Sequence, residues 1–126
     1  MTSDGDVAPV GGAPDASIVS VKVLASNNSY CCTSDLIAAM DWVLTSHPDT
    51  SVVNMSLGTF ALFPGHCDGA TAFTLAYAAA INTLRANGVL TFASAGNSGS
   101  GALMTAPACV ANTISVGAVW DSNVGR

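Results

Sequence analysis

An amide side chain at the end of an apolar strand is the feature of this chain most suited to chemistry. The segment Thr91-Phe92-Ala93-Ser94-Ala95-Gly96-Asn97-Ser98-Gly99 follows the apolar pair Val89-Leu90 and reads as a buried strand that ends abruptly in small residues. Asn97 sits at the turn. A strand end of this kind can aim an amide N–H at a carbonyl oxygen on which negative charge develops. A preorganised donor there stabilises the transition state more than the ground state. A plainer reading stands beside this one, because Asn-Ser-Gly is also common turn composition. Upstream, Val52-Val53-Asn54-Met55-Ser56-Leu57-Gly58 is a second apolar run with a small residue at its end. A small residue at a strand end leaves room for another backbone to approach. Taken one at a time, both segments also read as ordinary buried strand.

Both segments need a scaffold that holds strand ends side by side. Ala16 to Leu24 alternates and is β-branched, which predicts a strand. Thr33 or Ser34 can cap a helix whose first turn holds Asp35. Leu36, Ile37, Met40, Val43 and Leu44 share one face of that helix, and Pro48 follows its end. Ser51 to Leu57 suits a strand buried on both faces. Gly58 to Gly69 reads as a loop. From about residue 70 to 87, Phe73, Tyr77, Ala80, Ile81 and Leu84 form a second helical stripe, with Gly88 where a left-handed cap is wanted. Val89 to Ala95 is the next strand, 98–111 a loop, and Thr113 to Val119 a further strand. This alternation predicts an α/β fold with a mostly parallel sheet and helices on its faces. Ligands of such sheets bind beyond the carboxyl ends of the strands, and Gly58 and Asn97 both lie just past one.

The bulk numbers narrow the function classes. With 126 residues the chain suits one small domain or part of a larger one. It is 50% hydrophobic and only 9% charged, more like the buried middle of a bigger fold than a small free-standing domain. A net charge of -5 and three basic residues (Lys22, Arg85 and Arg126) exclude a phosphate-binding patch, and so nucleic acid as a partner. No apolar run approaches the roughly 18 residues that span a bilayer, so no membrane partner is expected. The polar, acidic start Met1-Thr2-Ser3-Asp4-Gly5-Asp6 does not read as a signal peptide.

The four cysteines, Cys31, Cys32, Cys67 and Cys109, match no zinc spacing, and His47 and His66 do not supply one. A bond between the adjacent Cys31 and Cys32 would be a strained ring. Cys67 and Cys109 flank the same strand–loop region, so a Cys67–Cys109 bridge that pins the loop after Asn97 is one expectation. Four unpaired thiols are the other. Asn54, in an apolar strand, is expected to brace neighbouring loops. Both histidines read as loop residues.

Four pieces of the chain arrive in an order that resembles the subtilisin-like serine proteases. Gly12-Ala13-Pro14-Asp15-Ala16 with Val21-Lys22-Val23-Leu24 looks like the loop and strand after the family's catalytic-histidine helix. Val53-Asn54-Met55-Ser56-Leu57-Gly58 looks like the strand lining the substrate cleft, and Ala95-Gly96-Asn97 like the oxyanion-hole turn. Pro107-Ala108-Cys109 through Ile114-Ser115-Val116-Gly117-Ala118 looks like the strand that follows. The resemblance implies a three-layer α/β/α fold, here incomplete, and a serine-type endopeptidase acting on extended peptide or protein substrates. It implies Asn97 as oxyanion donor, Ser56, Leu57 and Gly58 as the substrate strand, and Ala93 to Gly96 as the pocket wall. It also implies a secreted parent protein whose targeting segment lies elsewhere.

The family's acid motif Asp-(Ser/Thr)-Gly and base motif His-Gly-Thr-His do not occur, and its Gly-Thr-Ser-(Met/Leu)-Ala nucleophile motif would come later. Residues 1–126 are therefore expected to be the part of a peptidase domain between the catalytic His and Ser regions. That part alone is expected to be inactive and, with apolar edges exposed, poorly soluble. Calcium is common in the family, and carbonyls near Pro107 to Cys109 resemble one cation site. No metal residue or cofactor is assigned to this chain.

Two rivals remain in view. A nucleotide-binding domain would use Gly96-Asn97-Ser98-Gly99-Ser100-Gly101, but this is not the dinucleotide fingerprint and no P-loop lysine follows. A degenerate, non-catalytic fold that keeps a peptide groove would bind peptides without cleaving them.

Overall fold

The computed structural model describes residues 12–29 and 32–118. Cys31, Val119 and the acidic start Met1 to Asp6 lie outside these residues. Two helices and five strands follow in the order α1 (Thr33–Ser46), β1 (Val52–Met55), β2 (Leu62–Phe63), α2 (Ala72–Ala86), β3 (Leu90–Ser94), β4 (Met104–Thr105) and β5 (Thr113–Val116). Strands β1, β3 and β5 form a parallel sheet in that spatial order, and β2 pairs antiparallel with β4.

Both helical stripes become core. Leu36, Met40 and Val43 of α1 are buried, as are Tyr77, Ala80, Ile81 and Leu84 of α2. Tyr77, Ile81 and Leu84 are fully enclosed, each contributing about 1.5–3 kcal/mol by burial. Helix α1 starts at Thr33 with Cys32 at the N-cap and no side-chain cap, so neither Thr33 nor Ser34 takes the capping role expected from sequence. Helix α2 is capped better: the Thr71 side chain accepts from the Thr74 backbone, and the Thr74 side chain accepts from the Thr71 backbone. It ends at Asn87 and Gly88, the latter at φ +82 as a left-handed cap requires.

Helix α1 packs on α2, and α2 on β3, so the helices cover the sheet face that carries Met55, Thr91 and Ala93. The opposite face leaves Val52, Ile114 and Val116 exposed. The expectation that Ser51 to Leu57 is a strand buried on both faces is thus corrected: β1 exposes Val52 and Asn54 and covers Val53 and Met55, because the described residues place both helices on one side. The α/β architecture is present but incomplete.

A second correction concerns residues 16–24. Despite its strand pattern this segment forms no ladder, and its residues up to Lys22 are exposed. It runs beside β1, but a cavity lies between the two. Its N–H and C=O groups therefore lack the neighbouring strand that a ladder needs. A third difference is the β2–β4 pair, which forms where sequence suggested only loops. Two residues per strand are too few for a visible alternation.

Candidate functional site

The carboxyl ends of β1 and β3 lie side by side because the two strands are paired in register, Met55 opposite Ala93. The chain leaves them through Ser56-Leu57-Gly58 and Ala95-Gly96-Asn97. Ser94 Oγ donates to the Leu57 carbonyl at 3.3 Å and ties the two exits together. Ser56, Leu57 and Gly58 thus gather with Ala93 to Asn97 at one edge, the edge at which parallel sheets present ligand sites. Ala93 is fully buried, Ser94, Ala95 and Leu57 are half-buried, and Ser56, Gly58, Gly96 and Asn97 are exposed. Asn54 projects to the exposed face and donates to Ser56 Oγ at 3.1 Å, a bond within its own strand exit and not to a neighbouring loop.

Thr105 holds this edge together, and sequence reasoning passed over it as loop. Its backbone N–H donates to the Ala95 carbonyl at 3.0 Å. Its hydroxyl faces the carbonyls of Ala95 and Ser94 at 3.4 and 3.5 Å. Next to it, the Ala106 carbonyl accepts from Thr59 N–H at 3.0 Å, and Ala106 N–H donates to Thr59 Oγ1 at 3.3 Å. Both site glycines pack against the Thr105 side chain. A Cβ on Gly58 would run into Thr105 Oγ1, and one on Gly96 would stand 2.7 Å from Thr105 Cγ2. Gly96 also sits at φ +114, where a side chain is strained. No signal in the flanking sequence marks Thr105: glycines precede it at 96, 99 and 101, and the next is Gly117.

These contacts predict unequal rescue. Gly58→Ala and Gly96→Ala are each expected to cost about 1–3 kcal/mol. In a Thr105→Ala background the cost at Gly58 falls, since the obstacle is gone, whereas Gly96 keeps its backbone strain. Urea unfolding of the three single and two double variants reads the coupling directly. Equal costs in both backgrounds would remove Thr105 from its role between the two loops.

Behind the edge, Cys67 and Cys109 are bonded, with Cα atoms 5.4 Å apart, and each is 1% exposed. Of the two expectations for these thiols, the bridge is the one found. Cys67 N–H donates to the Cys109 carbonyl at 2.9 Å, and Cys109 N–H to the Thr105 carbonyl at 3.0 Å. The bridge therefore anchors the turn that carries Thr105. Cys32 is also disulfide-bonded.

The carbonyls of Pro107, Ala108 and Cys109 already accept from Val110 N–H, Ser115 Oγ and Cys67 N–H. No group of three or more metal-ligating side chains occurs among the described residues. His47 ends α1 and meets Trp42 edge-on, with ring centroids 4.8 Å apart. His66 lies in the exposed loop before Cys67. Neither histidine is at the strand-end edge. No helix among the described residues is long and apolar enough to cross a membrane.

Comparison with known proteins bears directly on this edge. The family model described as "Subtilase family" (Peptidase_S8) matches residues 2–124. An extracellular serine proteinase of Thermus sp. (strain Rt41A) is 37% identical over 123 residues, covering 92% of this chain and 27% of the relative. Subtilisin E of Bacillus subtilis (strain 168) is 36% identical over 123 residues, covering 95% and 29% respectively. Among solved structures, the prenylagaramide maturation protease PagA superposes with a TM-score of 0.69 at 27% identity, covering 90% of this chain and 38% of PagA. Sphericase gives 0.67 at 27% identity, covering 89% and 34%. The chain thus spans under a third of the length of the two curated relatives. With a family model over nearly its whole length and a subtilisin-like fold, this chain belongs to the subtilase family of serine proteases.

Proposed function

We propose that this chain forms the substrate-binding and oxyanion-stabilising part of a subtilisin-like serine endopeptidase. The observation that carries the reading is the joining of two strand exits, Ser56-Leu57-Gly58 and Ala93 to Asn97, at one sheet edge. An extended peptide would lie against Ser56, Leu57 and Gly58 and add as a strand. The side chain before the scissile bond would enter beside Ala93, Ser94, Ala95 and Gly96. Asn97 would donate its side-chain N–H to the carbonyl oxygen as that oxygen gains charge. Its side chain is exposed and makes no hydrogen bond to the described residues, so it is free to do so. Acyl transfer also needs a nucleophile and a base. The sequence contains neither the family's acid and base motifs nor its serine motif, so the 126-residue chain by itself is inactive in this reading. The parent protein is secreted, in keeping with a relative named as extracellular and with a buried disulfide. Any calcium belongs to the parent, and no cofactor is assigned to this segment.

The experiment uses two proteins. One is the purified chain. The other is subtilisin E with its homologous stretch replaced by this chain's residues 12–118. Each is assayed with a chromogenic peptide and with a serine-directed fluorophosphonate. The chain alone is expected to give background, and the graft to hydrolyse in an inhibitor-sensitive way. Inhibitor-sensitive hydrolysis by the chain alone, or a folded graft without activity, would refute the reading.

A further inference from the structure

The two strand exits of the site diverge around one side chain. Ser94 Oγ still reaches the Leu57 carbonyl at 3.3 Å, but just beyond, Thr105 stands between Gly58 and Gly96. Its Oγ1 crowds the position that a Cβ would take on Gly58, and its Cγ2 lies 2.7 Å from the position of one on Gly96. Both glycines are exposed, whereas Thr105 is only 6% exposed. Glycine on both walls opens a gap between the exits, and the threonine fills its inner end.

This side chain is held from several directions. The Thr105 N–H donates to the Ala95 carbonyl, and its own carbonyl accepts from Cys109 N–H, both at 3.0 Å. Thr105 also pairs with Leu62 across the β2–β4 ribbon. Ala106 is tied to Thr59 through both its N–H and its carbonyl. Rotation about χ1 would carry the hydroxyl away from the Ser94 and Ala95 carbonyls that it faces, and β-branching leaves few alternatives.

We propose, on the reading of this edge as a peptidase cleft, that Thr105 is the floor of the pocket for the side chain before the scissile bond and restricts that side chain to glycine, alanine or serine. An alanine methyl can enter between the two glycines and rest on Cγ2. A phenylalanine ring needs the space that Thr105 already fills. It must stay outside the pocket or push aside a side chain whose backbone is anchored on three sides, and close-packed surroundings yield little to such a push. A misfit of one methylene in a pocket is worth about 10–200-fold in kcat/KM, and a ring exceeds that misfit.

The test uses the subtilisin E graft and two chromogenic peptides that differ only in alanine or phenylalanine before the scissile bond. The alanine peptide is expected to lead in kcat/KM by about tenfold or more. Thr105→Gly removes the floor and should shift the ratio towards phenylalanine by about tenfold or more. Thr105→Ala should shift it in the same direction, and carries the test if the glycine variant does not fold. Thr105→Val keeps both branches and gives up only the hydroxyl, so alanine should stay preferred. A purely structural role would lower both peptides together and leave the ratio alone. A graft that cleaves both peptides equally or prefers phenylalanine, or a ratio that does not move when the side chain is cut back, would overturn the proposal while leaving the peptidase reading standing. A folded graft that cleaves neither peptide would refute the peptidase reading, and the role of Thr105 with it.

Discussion

Asn97→Ala, made in the subtilisin E graft, is expected to lower kcat by about 10²–10³ with little change in KM, a magnitude carried over from the subtilisin oxyanion-hole asparagine. The split between the constants follows from what the amide does. A donor aimed at the place where charge develops gains its full strength only in the transition state, so its loss appears in turnover rather than in substrate binding. Asn97 is exposed, and its side chain holds nothing else among the described residues. Its removal should therefore change unfolding free energy by less than about 0.5 kcal/mol. Asn97→Asp sharpens the experiment. It keeps the size of the side chain but replaces the donor with a negative charge, so the loss should be at least as large as for alanine. If the alanine variant keeps wild-type kcat, or loses its activity through KM, Asn97 is a turn residue and nothing more.

Removing the Cys67–Cys109 bridge is the change with the largest expected effect on stability. The bonded residues are separated by 42 positions, and closing a loop of that size restricts the unfolded chain by about 4 kcal/mol in the chain-entropy account. That is a large share of the roughly 5–15 kcal/mol that holds a typical domain together. A Cys67→Ala, Cys109→Ala double variant avoids leaving one buried thiol alone. Its urea midpoint should fall accordingly. The consequence should also be local. Hydrogen exchange is expected to quicken first in residues 105–110, because the Cys109 N–H to Thr105 carbonyl bond and the Cys67 N–H to Cys109 carbonyl bond lose their anchor. In the subtilisin E graft the double variant should therefore lose activity at temperatures where its helices are still folded. An unchanged midpoint, or uniform exchange across the molecule, would show that packing alone positions the turn.

Much of this could be read in the residues themselves. The stripes Leu36-Met40-Val43 and Tyr77-Ile81-Leu84 repeat at helical spacing, and each became the buried face of its helix. A stripe of that kind has one low-energy solution, since any other backbone would leave the apolar side chains in water. Gly88 marked a helix end because its φ is one that other residues adopt only with strain. Alternation of helix and strand implied the parallel sheet, and the sheet in turn implied the edge at which Gly58 and Asn97 meet.

Residues 16–24 show where that kind of reading stops. Their alternation is as regular as that of any strand in the chain, yet they form none, because a strand is a relation between two segments and the partner position beside β1 is open. The β2–β4 pair is the converse: Leu62-Phe63 and Met104-Thr105 carry no pattern, but the fold brings them together. Thr105 lies between these extremes. Nothing in its neighbours' identities distinguishes it from a loop residue, and its importance comes from contact with Gly58 and Gly96, which are distant from it in sequence and adjacent in space.

Local periodicity and residue chemistry were enough to specify the helices, the central strands, the subtilase resemblance and the strand exit on which Asn97 lies, because each depends on spacing along the chain. Which strands pair, which sheet face is covered, and which side chain separates the two glycine loops were settled only in three dimensions. Those features depend on long-range hydrogen bonds and on steric contact between residues that the sequence does not place together.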